Sequence, residues 1–165
     1  MPSVLGIAES AYVPRGWFGR LRPARRPSHT SNFLDWVIDG TPLLARLQAA
    51  SDASYLKRGW TTDLSPGHPD ALDQIDLLLG DGVSSLGDGR VPLLVCGECS
   101  DLWCGTISTR VEHTDNEVRW LGLGYQTPRR APDLFEPAID VTFGRPPYER
   151  VLVELRMRFA APADR

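Results

Sequence analysis

All three cysteines of the chain fall in the stretch VPLLVCGECSDLWCGTISTRV, as Cys96, Cys99 and Cys104. Three chemistries are open to such a cluster. A two-residue gap lets two thiolates converge on one metal ion at about 2.3 Å each, and zinc is the metal that spacing suits. A Cys-x-x-Cys pair also carries out thiol–disulfide exchange where a helix N-terminus activates its first cysteine. Here the loop runs instead into GTISTRVEH, an alternating, strand-like segment, so the sequence offers no helix to activate it. The third reading is packing: free cysteine is a small and often buried hydrophobe, with Cys96 closing an apolar strand and Cys99 and Cys104 filling a tight loop. The sequence ranks packing ahead of zinc and zinc ahead of redox chemistry.

Three sulfurs are one ligand short of a closed zinc shell. His113 is the tempting fourth. If residues 105–113 form a strand rising about 3.3 Å per residue, His113 lies more than about 20 Å from Cys104 and on the opposite face. His29, His68, Glu98, Asp101 or a water are left to complete the shell.

Other candidates lie outside this loop. Asp70, Asp73 and Asp76 recur one helical turn apart, which suits paired-carboxylate chemistry. The preferred reading is a solvated acidic face near a helix N-terminus. Trp17 and Phe18 sit beside Arg20 and Arg22 in a Gly-, Pro- and Arg-rich stretch, 14–31, read as an exposed loop. Aromatic and guanidinium groups together compose many protein-binding hot spots. In GDGVSSLGDG, Asp81 and Asp88 lack the further acids and closing Glu of a calcium loop, so a pair of turns is expected. His68, before Pro69, reads as a loop or capping residue. The chain has no Gly-x-Ser-x-Gly, no Gly-x-x-x-x-Gly-Lys and no His-Glu-x-x-His, and LGLGY is too short for a dinucleotide fingerprint.

The elements that must position these residues follow from periodicity and turn chemistry. Val4 to Val13 and NFLDWVI read as strands, the second ending at the Asp39-Gly40 turn. TPLLARLQAA reads as a short helix with Thr41 as N-cap and Pro42 at its first position. A second helix is expected from Pro69 to Leu79, with Leu72, Ile75 and Leu79 on one side and Gly80 terminating it. VPLLV, apolar on both faces, reads as a central strand. GTISTRVEH and EVRWLGLGY pair as a hairpin, DVTF is a short strand, and PPYERVLVELRMRF is a final helix before a frayed tail. The expected fold is α+β, a single domain with a mainly antiparallel sheet of five to six strands and three helices.

Size and composition set the class. With 165 residues, 42% hydrophobic and 24% charged, the chain can bury a core without a metal or disulfide. No run approaches the roughly 18 apolar residues of a membrane span, and MPSVLGIAESAY lacks the features of a secretory signal. A cytoplasmic location is expected, with no membrane partner. Five arginines and no acid lie between Ser10 and Leu34, yet the net charge is -3. That balance argues against nucleic acid. Arginine outnumbers lysine seventeen to one, which reports GC-rich codons.

VPLLVCGECSDLWCGTISTRVE, EVRWLGLGY and NFLDWVIDGTPLLARL together resemble a family of small uncharacterised proteins of GC-rich actinobacteria. In that family a strand, a Cys-x-x-Cys-x-Asp-x-x-Cys-Gly loop and a hairpin with a Trp strand occur in this order. The resemblance touches about half of the chain, with Gly97 and Ser100 where that family carries Pro and Gly. It implies an arrangement of elements and no activity. The leading functional expectation is accordingly a non-enzymatic interaction domain with a protein partner, an immunity or toxin-neutralising protein being one instance. Its contact residues would be Trp17, Phe18, Arg20, Arg22, Asp70, Asp73 and Asp76, with no cofactor. The alternative is a zinc-binding domain, or a thiol oxidoreductase, built on Cys96, Cys99 and Cys104.

Overall fold

The computed structural model describes residues 1–12 and 31–161. The stretch carrying Trp17, Phe18, Arg20 and Arg22 and the tail after residue 161 lie outside the described residues. Among the described residues, three α-helices and two antiparallel sheets make the fold α+β. The expected single sheet is divided in two.

The smaller sheet holds β1 (Leu5–Tyr12), β2 (Ser31–Ile38) and β3 (Thr41–Pro42). β1 and β2 pair along their whole length, from Leu5 opposite Ile38 to Tyr12 opposite Ser31. At the turn, Asp39 and Gly40 both have positive φ, 51° and 80°, as a two-residue hairpin loop demands. That tight turn corrects the expected helix start. It sends Thr41 and Pro42 back along β2, opposite Ile38 and Val37, so α1 begins only at Leu43 (Leu43–Ala50) with no side-chain cap. Proline is tolerated here because an edge strand has a side that needs no N–H.

The larger sheet runs β4 (Trp60–Thr61), β5 (Val91–Cys96), β6 (Thr106–His113), β7 (Glu117–Gln126) and β8 (Asp133–Leu134), with β9 (Val141–Gly144) on the far half of β7. Val91 to Val95 are all buried, as a central strand should be. One core cluster joins both sheets and the helices. Trp36 of β2 meets Trp120 of β7 edge-on, with ring centroids 6.3 Å apart.

Helices α2 (Ala71–Leu79) and α3 (Arg145–Ala160) pack on each other. Buried hydrogen bonds fasten them to the sheet. Trp120 Nε1 donates to Tyr148 Oη at 3.0 Å, and that hydroxyl donates to the Leu78 carbonyl at 3.1 Å. Gln74 Nε2 donates to the Pro92 carbonyl at 2.9 Å, beside the register shift between Pro92 and Leu94. A bulge leaves ladder groups without strand partners, and a buried carbonyl must find a donor. Gln74 thus turns inward, and α2 buries Ala71, Gln74 and Leu78 beside the expected Ile75, while Leu72 and Leu79 are only half-buried. Gly80 ends α2 at φ 87° as read from the sequence. Pro146 and Pro147 sit in the first turn of α3, where a missing N–H costs nothing. Among the described residues no helix is long and apolar enough to cross a membrane.

Candidate metal centre

The cysteine loop is built from both sheets. β5 delivers Cys96 opposite Trp60 of β4. The chain then turns: Ser100 N–H donates to the Cys96 carbonyl at 2.8 Å with Ser100 at φ 53°, and Gly97 N–H donates to the Gly59 carbonyl at 3.0 Å. Tyr12, the last residue of β1, lies across this turn. Added Cβ atoms at Gly59 and Gly97 would stand 2.2 and 2.8 Å from its ring, so neither position accepts a side chain while the ring stays. Its hydroxyl donates to Glu98 Oε1 at 2.5 Å.

The second half of the loop is capped in the manner of a helix start. Asp101 Oδ1 accepts the Trp103 N–H at 2.9 Å and so opens the 3-10 turn Leu102–Cys104. Gly105 leaves it at φ 104°, ψ 157°, a region essentially reserved for glycine. An added Cβ there would sit 2.3 Å from the Tyr125 ring. Tyr125 Oη donates to the Cys104 carbonyl at 3.3 Å, and its ring stacks on Tyr55 at 4.8 Å.

These supports bring the three thiols together. The Sγ atoms of Cys96, Cys99 and Cys104 all lie within 4.8 Å of one another, and those of Cys99 and Cys104 are 3.2 Å apart. Cys96 is half-buried and the other two are exposed. That exposure overturns the packing reading for Cys99 and Cys104. The loop is held by hydrogen bonds and aromatic cover on its backbone, so its sulfurs can face outward.

The fourth-ligand candidates separate cleanly. Among the described residues the three thiols are joined by no imidazole or carboxylate. His113 is on the far side, where its ring lies 6.4 Å from Tyr148, as strand geometry required; burial lowers its pKa. His68 is engaged elsewhere, with Nε2 3.7 Å from Asp63 and Nδ1 accepting the Asp70 N–H. Its loop role is the one expected. Asp101 caps and Glu98 receives Tyr12. His29 lies outside the described residues.

The acidic row does not stay together as one free surface. Asp70 and Asp73 are exposed, but Asp76 is half-buried and paired with Arg156 Nε of α3 at 3.0 Å. Asp88 works as a turn residue, accepting from the Arg90 N–H and from Gln126 Nε2.

Sequence reasoning missed several groups. Exposed Trp103 carries the Arg129 guanidinium 4.9 Å from its ring centre. Arg90 is buried and donates to Ser108 Oγ and to the Ser108 carbonyl. Asp35 and Asp63 are buried acids, each pushed up to about 6 chiefly by burial. For Asp63 the neighbouring His68 pulls the other way. Only Gly105, directly after Cys104, left a readable trace, since a glycine closing a cysteine loop signals an unusual φ. No protein-family model, curated protein or solved structure matches the chain.

Proposed function

We propose that the protein binds a thiophilic metal ion, zinc foremost, through Cys96, Cys99 and Cys104. The carrying observation is the convergence of three sulfurs within 4.8 Å, those of exposed Cys99 and Cys104 and of half-buried Cys96. Tetrahedral thiolate–zinc bonds of about 2.3 Å place sulfurs about 3.8 Å apart, so small side-chain rotations close the triangle on one ion. Soft thiolates favour zinc or copper(I) over magnesium or calcium. Among the described residues, three protein ligands leave a fourth position for water or an added donor, the arrangement found where zinc acts as a Lewis acid.

The test is metal content after purification without chelator, followed by cobalt substitution. One ion per chain with a thiolate-to-cobalt charge-transfer band, both lost in Cys99→Ser, supports the reading. A chain that stays metal-free after anaerobic reconstitution sinks it. At free zinc about a hundredfold above Kd, linkage raises stability by about 2.7 kcal/mol.

A second reading, a protein-docking role such as toxin neutralisation, has one observation in its favour. Trp103 is 57% exposed and already holds Arg129 against its ring, and Trp and Arg are both enriched in hot spots. Site-specific photo-crosslinking from position 103 in the native host tests it. A partner captured there and lost in Trp103→Ala supports docking, and no adduct at low or moderate salt counts against it.

A further inference from the structure

We propose that Cys99 and Cys104 form a peroxide-sensitive modification site, whose disulfide opens the metal triangle and releases the ion. The release rests on the metal-binding reading; the disulfide does not.

The geometry places this pair between two states. At 3.2 Å the sulfurs must part by about 0.6 Å to span a tetrahedral zinc edge. They must close by about 1.1 Å to reach a disulfide bond length of about 2.05 Å. Both moves are within the reach of side-chain torsions. The backbone is already turned to bring the two residues together, by positive φ at Ser100, the Asp101 cap and Gly105 beneath Tyr125. Cys96 is less suited, being half-buried at the end of β5 and opposite Trp60. Exposure gives the other two access to a small oxidant.

With hydrogen peroxide as oxidant the step balances. One thiolate attacks a peroxide oxygen and the O–O bond breaks. A sulfenic acid forms, and the departing hydroxide takes a solvent proton to become water. The second thiolate attacks the sulfenic sulfur, the S–O bond breaks, and a second hydroxide is protonated to water as the S–S bond forms. The two sulfurs together lose two electrons and peroxide gains them. The ion loses two of its three protein ligands, leaving Cys96 alone. A resolving thiol this close keeps the first sulfur from reaching the irreversible sulfinic state.

The experiment uses the full chain reconstituted anaerobically with zinc, its metal content measured first. Hydrogen peroxide is then added while a chromogenic chelator reports released zinc, and alkylation with peptide mapping locates the oxidised thiols. The expected result is zinc release matched by a Cys99–Cys104 crosslink, with Cys96 alkylated and zinc uptake restored by a dithiol reductant. Cys96→Ser should keep the crosslink, and Cys104→Ser should lose it and carry Cys99 to the sulfinic acid. A crosslink through Cys96, sulfinic acid without a crosslink in the unaltered chain, or zinc retained after the crosslink has formed would overturn the proposal. If no zinc binds beforehand, the metal reading has failed alone, and mapping of the metal-free chain still decides whether the disulfide forms.

Discussion

Replacing Gly105 with Ala tests whether the loop is shaped by backbone conformation and aromatic cover. The position has φ 104° and ψ 157°, where a side chain costs about 1–3 kcal/mol in backbone strain. The new methyl would also stand 2.3 Å from the Tyr125 ring, so that ring must leave. Its departure forfeits the stacking on Tyr55, 4.8 Å away, worth about 1 kcal/mol. The hydroxyl's bond to the Cys104 carbonyl contributes about 0.5–1 kcal/mol more. The total expected loss is about 2.5–5 kcal/mol, read from urea midpoints at constant m. A double-mutant cycle separates the parts: once Tyr125 is Ala, adding Gly105→Ala should cost only the backbone share, about 1–3 kcal/mol. Metal uptake by Gly105→Ala should weaken as well, because Cys104 precedes the altered torsion. A loss below about 1 kcal/mol, or strict additivity in the cycle, refutes the account.

Buried Asp35, whose Oδ1 has no hydrogen-bond partner among the described residues and whose pKa burial raises to about 6 against 3.8, holds its proton more tightly when folded. Stability contributed by that proton is fully present below the unfolded pKa and is lost as pH rises through 6. The total from this residue is at most about 3 kcal/mol. Asp35→Asn should flatten the stability profile between pH 4 and 7 by up to that amount, and an unchanged profile from denaturation at both pH values contradicts it. Tyr148→Phe strands Trp120 Nε1 and the Leu78 carbonyl in the core and should cost about 1–3 kcal/mol without altering metal content; a neutral substitution in urea denaturation would refute the buried relay.

Much of the scaffold is written locally. The Asp39-Gly40 hairpin, the apolar run of β5, the β6–β7 hairpin and the left-handed Gly80 each follow from near neighbours in the chain. So does the exclusion of His113 from the cysteines, because strand rise alone separates them. Burial and partnership follow from distant contacts. Nothing in IDGTPLL announces that Pro42 continues a sheet. Nothing in ALDQIDLLL announces that Gln74 turns inward to β5 while Asp76 goes to α3.

The cysteine spacing by itself established that two or three sulfurs could meet, and it left their environment open. Whether they pack inside or face outward depends on what covers the loop. That cover is Tyr12 from β1 and Tyr125 from β7, residues 84 or more and 21 or more positions away from the sulfur-bearing turns they clamp. Short-range sterics and hydrogen bonds act within a few residues and are legible in order along the chain. The orientation of a side chain toward core or solvent is a property of the surfaces that close over it, and those are assembled only when the strands pair.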